Sequence, residues 1–287
     1  MTLARRLGVP LLLVVATPHL ATAHTIDGGG SAWSQRGPLA LVLLLGALLY
    51  LRGRWNLGAR WPVRRTTAAF GGALAIGAAL LSPLDTAAAT SVAAHMVQHT
   101  VLILVAAPLL ALGRPLAVIA AGLPHAPRIG RVLGRPRPGV ACALHGIALW
   151  LWHLPPLYDA TLARPLVHAV AHGTLLGSAV FLWWSVSRGR ARVSGALWLF
   201  VTAFHAGGLG ALLTLSTRPW FRGATLEDQQ LAGLVMWIPA GALLTAIALT
   251  LLAGWLRSGA RRPGPFADGV VTAPRRSRGV PRPADGR

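Results

Sequence analysis

Seven apolar stretches, each bounded by charged or turn-forming residues, restrict how this chain can fold. They cover residues 38–51, 66–81, 88–112, 139–157, 165–187, 193–215 and 229–256. A helix needs about 18–20 apolar residues to cross a bilayer, and all but the first two stretches reach that length. The sequence therefore predicts an all-α integral membrane bundle of seven transmembrane helices, with two short spans at its start.

The composition excludes an ordinary soluble domain. Only 12% of the residues are charged, and 54% are hydrophobic, whereas soluble domains carry about 25% charged residues. The single cysteine, Cys142, excludes an intramolecular disulfide and any CxxC metal motif.

The two ends of the chain differ in character from the apolar middle. Residues 1–23 resemble a signal peptide, with Arg5 and Arg6 before a short apolar run and Ala21-Thr22-Ala23 as a cleavage site. An uncleaved, short first span is the alternative. Residues 24–37 then form an external segment, residues 38–256 the membrane domain, and residues 257–287 a basic tail without apolar periodicity. We expect that tail to be disordered, cytoplasmic and attracted to anionic membrane lipid.

The net charge of +20 would ordinarily suggest a nucleic-acid partner. All 27 basic residues are arginine, however, and 21 of them fall in alternate gaps between the stretches or in the tail. Basic residues concentrate on the cytoplasmic side of membrane proteins. The charge is thus a topology signal: the N-terminus is predicted outside, the C-terminus in the cytoplasm, and no nucleic acid is expected as a partner.

Histidine is the ionisable residue that recurs within the predicted spans, where aspartate, glutamate and arginine are almost absent. His95 and His99 are four residues apart, and so are His168 and His172. This spacing places two imidazoles on one helix face, where they can bind one metal ion. With His153, these residues lie in the predicted outer half of the membrane, whereas His145 is deeper and His205 is closer to the middle. The five outer histidines are the predicted metal ligands.

Imidazole suits zinc, copper, iron and nickel, and a nearby thioether favours copper(I). Met96 lies within the first histidine pair, and Met236 lies in the outer half of the last span. The candidates for further ligands or supporting groups are Met96, His205, Asp159, Asp228 and Met236. The simpler interpretations are that the histidines bond neighbouring helices, that the methionines pack in the core and that the carboxylates cap helices.

Three functions remain open at this point. One is a factor that holds copper transiently and hands it on. Another is a membrane electron carrier with b-type haem between paired histidines. The third is a seven-span zinc-dependent hydrolase, which the lack of a glutamate within either histidine pair disfavours.

Several motifs, in order, resemble one known family. They are His95-Met96-Val97-Gln98-His99, Ala107-Pro108-Leu109-Leu110, Trp152-His153-Leu154-Pro155-Pro156-Leu157-Tyr158-Asp159, the segment from His168 to His172, and Asp228-Gln229-Gln230-Leu231-Ala232-Gly233-Leu234-Val235-Met236-Trp237-Ile238-Pro239. This order is similar to the multi-span CtaG family of cytochrome c oxidase assembly factors, over residues 38–256.

The resemblance implies a seven-helix protein of the bacterial plasma (inner) membrane that helps haem-copper oxidases mature. It implies a non-enzymatic role in forming the copper centre, with the oxidase catalytic subunit as partner and periplasmic copper carriers as further candidates. The family motifs fall on His95, His99, His153, His168, His172 and Asp228. That the histidines bind copper is an inference from their chemistry.

Overall fold

The computed structural model describes residues 33–123, 137–188 and 192–260. All regular structure in these ranges is helical. The helices are α1 (Trp33–Leu57), α2 (Val63–Leu80), α3 (Pro83–Ala88), α4 (Val92–Val101), α5 (Ala107–Gly113), α6 (Pro115–Gly122), α7 (Pro138–Trp152), α8 (Pro155–Ala163), α9 (Pro165–Arg188), α10 (Arg192–Leu215) and α11 (Leu226–Ala260). The predicted signal peptide, most of the external segment and nearly all of the basic tail lie outside the described residues.

Five helical segments are long and apolar enough to cross a membrane: Arg36–Arg60, Val92–Gly122, Pro165–Ser187, Val193–Leu215 and Leu226–Arg257. The bent pair α7 and α8 would make a sixth. Helix α2, which contains most of the predicted second span, is not among them. Leucines of α1 such as Leu41 and Leu44 are more than half exposed, as expected of a surface that faces lipid. The chain is therefore an all-helical membrane protein with five or six candidate spans in the described part.

The predicted third span has a more complex course than one straight helix. It begins only at Val92, after the separate α3, and a π-helical segment (Leu102–Ala106) joins α4 to α5. In this segment the Ala107 N–H donates to the Leu102 carbonyl, five residues earlier. In the same five-residue pattern, the Ile103 carbonyl would accept a hydrogen bond from the backbone N–H of residue 108. That residue is proline, which has no N–H. Trp183 supplies the missing donor, with its indole Nε1 2.9 Å from the Ile103 oxygen.

The predicted fourth span is broken beside a histidine. Helix α7 ends at Trp152, α8 begins at Pro155, and their axes differ in direction by 74°. A proline restricts the residue before it to extended backbone, and Leu154 accordingly has φ −66° and ψ 130°. Because proline is favoured at the first position of a helix, Pro155 both ends one helix and starts the next. His153 lies at this break.

The last two helices pack backbone against backbone. A Cβ atom on Gly233 would lie 2.5 Å from the Gly210 carbonyl oxygen, and one on Gly210 would lie 2.8 Å from the Gly233 oxygen. Only glycine permits so close an approach. Helix α11 also packs against α4 and stays helical through Pro239. It thereby connects α10 to the helix that carries His95 and His99.

Candidate metal centre

Five histidines from three helices converge at one end of the bundle. His95 and His99 come from α4, His168 and His172 from the first two turns of α9, and His153 from the end of α7. The ring centroid of His95 lies 4.6 Å from that of His99, 5.4 Å from His168 and 5.6 Å from His172. His99 connects this group to His153 at 5.6 Å. The fold thus places all five predicted ligands in one continuous cluster.

The two histidines of α4 face each other along one side of the helix. Their Nε2 atoms are 3.1 Å apart, and both side chains are buried. Two nitrogens bound to one ion at about 2.0 Å would be this far apart at an angle of about 100°. The same separation permits a hydrogen bond between the rings, with the proton on either one.

Helix α9 places the rings of His168 and His172 against the ring of His95. One ring nitrogen each from His95, His168 and His172 lies within 4.8 Å of the other two, as ligands of a metal ion could. His172 is buried and its Nε2 has no hydrogen-bonding partner among the described residues; the same is true of His99 Nδ1. Buried polar atoms without a partner are costly. These nitrogens are therefore available as ligands of a metal ion.

His153 enters from a different direction and meets Met96. Its Nε2 lies 3.3 Å from the Met96 sulfur, and its Nδ1 lies 2.7 Å from the Leu149 carbonyl oxygen. Both side chains are almost completely buried. Neighbouring residues of a helix point about 100° apart, so α4 presents His95 and His99 to α9 and Met96 to the end of α7.

The predicted carboxylate Asp228 acts on the helix rather than on the cluster. Its Oδ2 accepts a hydrogen bond from the Val92 N–H (2.6 Å), and its Oδ1 accepts from Ser91 Oγ (2.8 Å) and the Ala93 N–H (3.2 Å). These groups form the N-terminus of α4, where a negative charge is favourable. Asp228 therefore fixes the start of the helix that carries His95, Met96 and His99.

One protein-family description matches residues 48–258, and it reads cytochrome c oxidase caa3 assembly factor (Caa3_CtaG). The match covers most of the chain and includes every residue of the cluster. The chain belongs to this family. The resemblance drawn from the motifs is thus confirmed. The comparisons with curated proteins and with solved structures found no match.

Asp159 and His205, two other predicted site residues of this assembly factor, lie outside the cluster, and so does His145, which was not predicted as a site residue. Asp159 accepts a hydrogen bond from the Arg222 N–H at 3.1 Å. His205 is half-buried in a groove of α7 and α10, beside Gly146 and Cys142. His145 is buried, and its Nδ1 lies 3.1 Å from Ser178 Oγ. The structure therefore separates the five clustered histidines from the two deeper ones.

Met236 lies near the cluster. In the described part of the chain its sulfur has no contact with a ring nitrogen like the one that Met96 makes with His153. It packs in the same core as Met96 and Leu149. It also lines a cavity of about 40 Å³ together with His99, His145 and His153. A cavity of that size holds two or three water molecules. The cluster thus borders a small space that leads toward the middle of the bundle.

Two side chains beside the cluster were not among the predicted site residues. Tyr158 is buried, with its ring centroid 5.3 Å from that of His95 and 4.0 Å from that of Phe221. Gln98 is fully buried, and its Nε2 donates to the Ala79 carbonyl (2.9 Å) and to Asp85 Oδ1 (3.1 Å). A glutamine inside an apolar span is a signal in itself. Gln98 therefore connects α4 to α2 and α3, whereas Met96 of the same helix faces His153 at the end of α7.

Proposed function

We propose that this assembly factor binds a copper ion through His95, His99, His153, His168 and His172 and passes it to the catalytic subunit of a haem-copper oxidase. The convergence of five imidazoles from three helices carries the proposal. Imidazole is a good ligand for copper, and the membership of an oxidase assembly family points to the same metal. Copper is here the cargo of the protein, and no catalytic step is needed.

The arrangement suits transient binding. The histidines lie near the ends or starts of their helices, next to the connections at residues 89–91, 153–154 and 164. An ion can therefore reach them without crossing the whole bundle. We further propose the topology read from the arginines: seven spans, with α2 as the second, the N-terminus outside and the C-terminus in the cytoplasm of a bacterial plasma membrane. The cluster would then open to the periplasmic side, where copper carriers could load it.

The zinc hydrolase alternative lacks support from the nearby carboxylates. A hydrolytic site needs a carboxylate or another base beside the metal-bound water. Asp228 instead accepts hydrogen bonds from the start of α4, and Asp159 accepts one from the Arg222 N–H. Both predicted carboxylates are therefore engaged elsewhere.

The haem alternative is disfavoured by the packing of the rings. Two axial imidazoles must lie on opposite faces of a porphyrin. His95 instead stacks directly on His168 and His172, with interplanar angles of 20° and 22°. A porphyrin between them would have to push α4 away from α9.

Metal analysis of the purified full-length protein tests the proposal. We expect one copper(I) per chain and no Soret band, and we expect the double variant His95→Ala with His99→Ala to lose the copper. His205→Ala is the matched control, because His205 is a histidine of the same bundle outside the cluster. Equal copper content in the double variant and the wild type would refute the ligand assignment.

A second measurement connects copper to oxidase assembly. In cells whose own copy of this factor is deleted, we expect low oxidase activity that is restored by the wild-type chain or by added copper. The double variant should not restore it at limiting copper. Full restoration by the double variant would show that the assembly role does not depend on copper binding by this cluster.

A further inference from the structure

We propose that the cluster contains a distinct copper(I) position, formed by Met96 Sδ and His153 Nε2 with His99 as third ligand. It lies beside the imidazole position of His95, His168 and His172. This inference rests on the proposed copper-binding function and adds the ligand set that selects copper(I). Thioether sulfur is a soft ligand and favours copper(I) over zinc(II) and copper(II).

The contact between His153 and Met96 is not a hydrogen bond. A carbonyl oxygen only accepts, so the 2.7 Å contact to Leu149 requires the proton on His153 Nδ1. The Nε2 of the neutral ring then carries a lone pair, and the Met96 sulfur has no proton to donate. The structure therefore places two lone-pair atoms 3.3 Å apart in a buried environment.

That distance fits two ligands of one ion. With metal bonds of about 2.0 Å to nitrogen and about 2.3 Å to sulfur, donor atoms 3.3 Å apart correspond to an angle of about 100° at the metal. The Leu149 hydrogen bond fixes the orientation of the imidazole, as outer hydrogen bonds commonly do for metal-bound histidine. The two donor atoms are thus already at binding distance.

His99 can complete this position. Its Nε2 faces His95 at 3.1 Å, while its Nδ1 is buried without a hydrogen-bonding partner among the described residues. The two nitrogens lie on different sides of the ring, and the His99 centroid is 5.6 Å from that of His153. His99 therefore lies between the two positions and can serve either one.

The imidazole position differs in its chemistry. Its three nitrogens, from His95, His168 and His172, all lie within 4.8 Å of one another. Nitrogen ligands alone do not distinguish copper(I) from zinc(II). Selectivity for copper(I) therefore depends on Met96.

Met96→Leu tests the proposal, because leucine keeps an apolar side chain of similar volume and removes the sulfur. We expect copper(I) affinity, measured in the purified full-length protein against a competing chelator, to fall about tenfold or more. Zinc(II) affinity should change less than about twofold. Met236→Leu is the matched control, since Met236 is a buried methionine of the same core. It should keep both affinities.

X-ray absorption of the copper-loaded Met236→Leu protein, with and without the added Met96→Leu substitution, tests the same point by a spectroscopic readout. The chain has three methionines and one cysteine, so a sulfur neighbour at about 2.3 Å in that variant is assigned to Met96 when Met96→Leu abolishes it. A nitrogen-only environment in the wild type, or unchanged copper(I) affinity in folded Met96→Leu, would overturn this inference alone. Absence of copper binding by the wild type would instead overturn the proposed function.

Discussion

The bundle contains two groups of buried or half-buried histidines that differ in what surrounds their nitrogens. In the cluster, five rings face one another and Met96 approaches one of them. Deeper in the bundle, His145 is held by Ser178, and His205 lies in a side groove next to Gly146. The same residue type in the same bundle thus has two different environments. A histidine in a span becomes a candidate ligand only where several converge.

Single substitutions in the two groups give the largest expected contrast. His99 contacts His95, His153 and His172, so His99→Ala should lower copper affinity at least about a hundredfold, or about 2.7 kcal/mol. His145→Ala removes the contact to Ser178 and enlarges the cavity that His145 lines with His99 and His153, but it removes no ring of the cluster and should leave copper stoichiometry unchanged. Isothermal titration of both purified variants measures this. Similar losses in both would show that the deeper histidine belongs to the metal centre.

Asp228 tests whether the cluster depends on the start of α4. Asp228→Ala removes three hydrogen bonds to Ser91, Val92 and Ala93, and loss of a helix cap costs about 1–2 kcal/mol. We expect a lower unfolding temperature in detergent and a few-fold weaker copper binding, because His95 lies within the first turns of that helix.

Asp159→Ala is the matched control for Asp228, since among the described residues Asp159 accepts a single hydrogen bond, from the Arg222 N–H. Its unfolding temperature and copper affinity should stay near those of the wild type. A larger effect of Asp159→Ala than of Asp228→Ala would contradict the positioning role of Asp228.

Trp183 tests whether the π-helical segment is needed for the cluster that precedes it. Trp183→Phe removes the indole donor to the Ile103 carbonyl, and a buried carbonyl left without its partner costs about 1–3 kcal/mol. We expect a lower unfolding temperature but unchanged copper stoichiometry, measured by thermal denaturation and metal analysis. Loss of copper with unchanged stability would mean that the segment orients His99 directly.

Gly146→Ala should have the smallest effect. The added Cβ would lie 3.2 Å from the His205 ring, which requires the ring to shift by a few tenths of an ångström. Since His205 is outside the cluster, copper affinity should be unchanged within error. A measurable change in copper affinity would show that the two groups of histidines communicate.

Part of the metal centre follows from local spacing, and part does not. The pairs His95/His99 and His168/His172 could be predicted because four residues make about one helical turn. The approach of His153 to Met96 could not, because it depends on the break at Pro155 and on how α7 packs against α4. Capping was the simpler interpretation of Asp228, but the helix that it caps could not be predicted, since its partners Ser91 and Val92 are 137 and 136 residues away in sequence.

The sequence by itself determined the helical membrane class, the family and the identity of the five clustered histidines. Apolar length and residue spacing are local properties, and each helix satisfies its own backbone groups in lipid. The tertiary structure decided which histidines meet, which carboxylate caps α4 and which methionine faces a ring nitrogen. These depend on glycine contacts, proline breaks and helix orientations between distant segments, which a pattern along one segment does not contain.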